Sequence, residues 1–232
     1  MPIPTHLERE IAEGLKELQL ESARQLKPTR RLAIYQALWP SLNLENDYYD
    51  NFVAATHPTI SIEHRRYGYL GIVTVRHVLS IWDQSAKPVA EDPPRRMLAL
   101  AEGVIEGVED PGEVNGFYLQ EFYYSLEAES HDVKYGAWRA LRAAYNALGM
   151  ALGAPPFYNA RDLKTNGFVL LDNDAAQEAA IACSVIDDHE AGTWWEKYFR
   201  QEEWSFDLDK KLKFWEWWLT EAIPEAWEKA FS

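Results

Sequence analysis

Three places in this 232-residue chain hold side chains of the kind that ligate a divalent cation: His64, the dipeptide His131-Asp132, and the pair Asp187-Asp188. Imidazole nitrogen and carboxylate oxygen together suit a transition metal or magnesium, and a metal so held activates water for hydrolysis. The setting of the second place argues otherwise. In Ser130-His131-Asp132-Val133 the serine and aspartate read as a helix N-terminus, where the helix dipole favours an acid. No Gly-rich phosphate loop, CxxC pair, HExxH or GxSxG elbow is present, so the common nucleotide, zinc and acyl-transfer signatures are missing. The reading is of a non-enzyme with no cofactor and no metal.

A different chemistry, that of recognition, is written in residues 187–204, DDHEAGTWWEKYFRQEEW. Aromatic anchors rimmed by charge are the composition of protein interfaces, and the candidate partner-binding residues are Asp187, Asp188, Glu190, Trp194, Trp195, Glu202, Glu203 and Trp204. A loop with packed aromatics and solvated acids is the competing account. ENDYYD at 45–50 repeats the theme. Thirty-seven acids against twenty-three bases, a net charge of -14, argue against nucleic acid and anionic membranes, which require clustered Lys and Arg. A basic protein partner is the sharper expectation.

These residues must be positioned by helices. Hydrophobic content of 47% is ample for a core, and no apolar run approaches the roughly 20 residues that span a bilayer. The start, MPIPTHLEREIAEGL, lacks a basic leader followed by an apolar stretch, so no secretory signal and a cytoplasmic location are expected. Leu7, Ile11, Leu15 and Leu18 predict an amphipathic helix over 6–26, closed by Pro28, with Thr29 capping a second helix to Pro40. Residues 61–83 are apolar around most of their circumference and predict a central, buried helix. There Gly68 and Gly71 would admit a close neighbour, His77 would be a hydrogen-bonded core histidine, and Arg76 would anchor an internal ion pair. A strand through Ile72–Val75 is the weaker option.

Pro93 and Pro94 open a helix carrying Met97, Ala101, Val104 and Val108; Asp110 to Gly112 then reads as a turn before an aromatic helix over 113–129. Trp138, Leu141, Tyr145, Leu148 and Leu152 give the cleanest helical period, closed by Gly153. A long loop over 157–171 precedes an Ala-rich helix capped from Asp172–Asp174, in which Cys183 is a buried, inert thiol. The terminal stretch KFWEWWLTEAIPEAWEKAF cannot turn all its tryptophans to one side. Part packs on the bundle, and Trp215 or Trp217 reaches a secondary contact. The result is one all-α domain over 1–232, an antiparallel helical bundle or a short stack of helix pairs.

Six segments, RRLAIYQAL, VRHVLSIWDQ, PPRRMLALAEGVIEG, YGAWRALRAAYNAL, AAQEAAIACS and KLKFWEWWLTEAIPEAW, together resemble Imm5-type immunity proteins of bacterial polymorphic toxin systems. Regions 40–60 and 157–171 carry no part of the resemblance. It implies an all-helical cytoplasmic protein that binds and neutralises a cognate toxin, and it brings no catalytic residues. A basic toxin surface would give the acidity a purpose. The alternative class is a metal-dependent helical hydrolase, since the His, His-Asp, Asp order is similar to that of HD-type phosphohydrolases. A scaffold that self-associates through its tryptophans is the third.

Overall fold

A computed structural model of the chain describes residues 2–42, 60–84, 92–118, 134–154, 174–186 and 205–232. Helices account for most of the regular structure of these residues, and Val185 pairs with Phe206 in an isolated antiparallel bridge. Helix α1 spans Thr5–Leu20 and α2 spans Pro28–Leu38. The predicted boundary between them shifts: α1 ends six residues early, and Pro28, whose missing N–H is harmless in a first turn, begins α2 instead of closing α1. Thr29 is therefore inside α2 and caps nothing. The two helices run antiparallel, with the His6 ring against the Ala37 carbonyl at one end and an Arg30–Glu10 ion pair nearer the other.

Helix α3, Ile62–Asp83, is about 33 Å long at 1.5 Å per residue and forms the spine. Ser61 caps it by accepting from the His64 amide, and residues 67–75 are buried without a break, which removes the strand option. Helix α4, Pro93–Glu106, starts with the prolines in its first turn and ends at Gly107, whose φ of 75° lies in the left-handed region. Val108 therefore falls outside α4 and is 76% exposed, although the sequence period put it on the apolar face. Residues 111–118 are helical, so Asp110 is a cap and not part of a turn: its Oδ1 accepts from the Gly112 and Glu113 amides at 2.8 and 3.0 Å.

Helix α5, Tyr135–Ala151, lies antiparallel to α3. The spacing between them is set by the two predicted glycines. A Cβ on Gly71 would stand 3.0 Å from the Ala147 Cα, and one on Gly68 would stand 2.4 Å from Ile105 of α4. Small residues thus let the backbones approach where any side chain would hold them apart. The sequence suggested a single apolar seam on α5, but nearly its whole circumference is buried, because α3, α4 and the next helix enclose it.

That helix, α6, spans Ala175–Ser184 and is capped by Asp174 as expected. Then α7, Leu208–Trp217, runs without interruption into a π-helical turn, Trp218–Ala222, and α8, Ile223–Lys229. Pro224 cannot donate to the helix ladder, and its ring crowds the carbonyl four residues back. The wider π turn stands where that conflict falls, and such turns commonly accommodate it. Phe214, Trp215, Trp218, Leu219 and Ala222 lie on one face of the continuous helix and are all buried, and the Trp218 indole N–H donates to Thr74 of α3 at 3.1 Å.

Candidate functional site

All eight candidate partner-binding residues, Asp187, Asp188, Glu190, Trp194, Trp195, Glu202, Glu203 and Trp204, lie in 187–204, outside the described residues. The points from which that segment departs and to which it returns are well defined. The Ile186 amide donates to the Ser205 carbonyl at 3.0 Å, the Asp207 amide donates to the Ser184 carbonyl at 2.7 Å, and Val185 faces Phe206 across an antiparallel bridge. Helix α6 stops here because Val185 turns to an extended conformation. Asp207 then starts α7 by accepting from the Asp209 and Lys210 amides. The interval 187–204, with six acids against Lys197 and Arg200, is thus bounded on both sides by one neck.

Two further elements end beside this neck. Gly136, in the first turn of α5, sits so close to Val185, the Ala182 carbonyl and Ile81 that a Cβ there would meet them at 3.3 to 3.5 Å. Ile81 belongs to the last turn of α3. The segment 119–133, with Glu121, Glu127, Glu129, Asp132 and no base, accordingly rejoins the frame at the same end as 187–204. The other acidic stretch, 43–59, is bounded by the end of α2 and the start of α3, a helix length away. The acids grouped by composition are thus attached at opposite ends of the spine.

Behind the neck lies a network of buried charge that sequence reading missed. Asp174 accepts from Arg31 Nε at 2.7 Å, and neither side chain has any solvent exposure. Glu178, also fully enclosed, accepts from Arg139 at 2.7 Å and from Arg142 at 3.0 Å, while Arg139 Nε donates to the Tyr135 hydroxyl. The sequence held one clue: Glu178 is the only charge in AAQEAAIACS, and an acid that sits on an otherwise apolar helix needs a cation. Burial first, then the Asp174 charge, pushes the Tyr35 and Tyr67 hydroxyls well above their ordinary range. Burial, with Arg31 adding like-charge repulsion, holds the Lys211 ammonium below its ordinary value. This network ties α2, α5, α6 and α7 together.

The metal hypothesis has one described member, His64. Its ring stacks on Trp39 with centroids 4.6 Å apart, close to Gly153 at the end of α5, and burial lowers its pKa. His131, Asp132, Asp187 and Asp188 fall outside the described residues, and among the described residues no three His, Cys, Asp or Glu side chains gather as metal ligands. Two other expectations are corrected. His77 is exposed and stacks on Trp217 at 3.6 Å instead of bonding within the core, because its position on α3 turns toward α7 and solvent. Arg76 pairs with Glu102 of α4, but at the surface. Cys183 is enclosed enough that its thiol is pushed up to about 12.

The family model of immunity protein Imm5 matches residues 11–225, and the chain belongs to that family. The match runs through 40–60 and 157–171, where the sequence resemblance was blank. No curated protein matches. Among the described residues no helix is long and apolar enough to cross a membrane.

Proposed function

We propose that this chain is a cytoplasmic immunity protein that binds a cognate bacterial toxin and neutralises it by occlusion, without catalysis of its own. Membership of the Imm5 family over nearly the whole chain carries the reading. The contact surface is the acidic, aromatic chain attached at the neck, including Asp187, Asp188, Glu190, Glu202 and Glu203 with Trp194, Trp195 and Trp204 as anchors. What supports this choice is that both ends of 187–204, an interval with six acids against two bases, meet at one neck, where the acidic segment 119–133 also returns to the frame. A toxin with a basic cleft would be steered there electrostatically, and the tryptophans would supply the buried contact. Nucleic acid and anionic membranes are not partners in this reading.

The test is co-expression with the toxin-like product of the adjacent gene, scoring growth rescue and recovery of a complex. Rescue with a stable complex is expected. A quadruple variant with Asp187, Asp188, Glu202 and Glu203 changed to Lys should lose affinity and association rate, most clearly at low salt. Full affinity in that variant would remove the surface assignment while leaving the immunity reading in place.

A further inference from the structure

Of the first three tryptophans in the terminal stretch, Trp215 and Trp218 are fully buried, whereas Trp217 remains at the surface, half-buried. Its ring is nonetheless held. The Trp217 and His77 rings stack within 16° of parallel, and Phe214 tilts against both at 5.7 and 5.9 Å. A surface tryptophan fixed in this way loses little freedom when a partner docks, and tryptophan is among the side chains most often found to dominate an interface.

The surroundings indicate what would dock. Glu216 and Glu221 are exposed on either side of Trp217 in sequence, and Glu221 is near enough to His77 to favour its charged form. Partial enclosure by the Trp217 and Phe214 rings outweighs that influence and holds the imidazole below its ordinary pKa, which favours its neutral form. Of the nearby cations, Arg76 is engaged by Glu102, and Lys213 stands one turn earlier on α7. Neutral π faces beside carboxylates suit a cation that can stack and hydrogen-bond at once, which is the chemistry of a guanidinium. The position agrees with the neck: His77 lies one helical turn before Ile81, which packs against the start of α5 there.

We infer that the Trp217–His77 stack, with Glu221, is an anchor for a basic side chain, arginine above all, on the cognate toxin. The inference rests on the toxin-binding reading and adds a structured contact on the frame itself. The experiment is calorimetric titration of the inactivated product of the adjacent gene into wild type, Trp217→Ala, Trp217→Phe and Glu221→Lys. Circular dichroism melts serve as the check on folding. Glu221 is exposed, so its variant keeps the test sound even if Trp217→Ala unfolds. Trp217→Ala and Glu221→Lys should each weaken Kd tenfold or more, with Trp217→Phe between them and wild type. Wild-type binding with Glu221→Lys and the folded Trp217 variants all within twofold overturns this anchor alone. Failure of wild type to bind overturns the toxin-binding reading and the anchor with it.

Discussion

Asp174 uses its two oxygens differently: Oδ2 accepts from Arg31, and Oδ1 accepts from the Gln177 amide to cap α6. Three variants separate these roles. Asp174→Asn keeps an oxygen for the cap but removes the anion, which leaves a guanidinium of zero exposure uncompensated. Breaking one side of a buried pair costs about 3–5 kcal/mol. Asp174→Ala loses the cap as well, adding about 1 kcal/mol. For a chain of this size that total lowers Tm by roughly 10–20 °C. Arg31→Met with Asp174→Asn removes both charges, so the double variant should be more stable than Arg31→Met alone, because no unpaired ion remains. Urea unfolding followed by circular dichroism, with the slope held constant, measures each value. A loss below about 1 kcal/mol for Asp174→Asn, or strict additivity in the double variant, would refute the buried-pair argument.

Gly71→Val should destabilise by about 2–3 kcal/mol by driving α3 from Ala147, whereas Gly116→Ala, with nothing within 4 Å of the added carbon, should gain about 0.5–1 kcal/mol of helix propensity; thermal melts distinguish them. Stability should fall as pH drops from 7.5 to 5.5, since burial depresses the His64 pKa below its ordinary value and the unfolded chain then takes up more protons than the folded one. His64→Phe, which keeps an aromatic ring against Trp39, should flatten that decline in urea titrations at each pH. Cys183, its thiol pushed up to about 12, exposes roughly one thiolate in ten thousand at pH 8. It should therefore react with Ellman's reagent slowly when folded and readily in urea.

Much of the frame was legible because its signals are local. Pro93 and Pro94 open one helix and Asp174 caps another, Gly153 adopts the left-handed conformation at a helix end, and Gly68 and Gly71 mark the closest helix approach. What escaped depends on partners distant in sequence. Arg31 and Asp174 are 143 residues apart, and nothing near Arg31 in sequence foretells an acid so far along the chain. The terminal tryptophans needed only the helical period: Trp215 and Trp218, three residues apart, share the buried face, while Trp217 lies off it and stacks on His77. Surface roles proved hardest: His77 sits in an apolar stretch, and whether such a residue faces core or water depends on which neighbour happens to cover it.

The neck has a further consequence. Its two closing hydrogen bonds run from backbone to backbone, so they carry no instruction about which residues lie between Ile186 and Ser205. Closing a flexible stretch costs only about 0.6 kcal/mol more for each doubling of its length. The frame can therefore keep its stability while natural variation rewrites that interval, residue by residue or by insertion. On the toxin-binding reading proposed above, folding and partner choice would then be specified by separate parts of the chain.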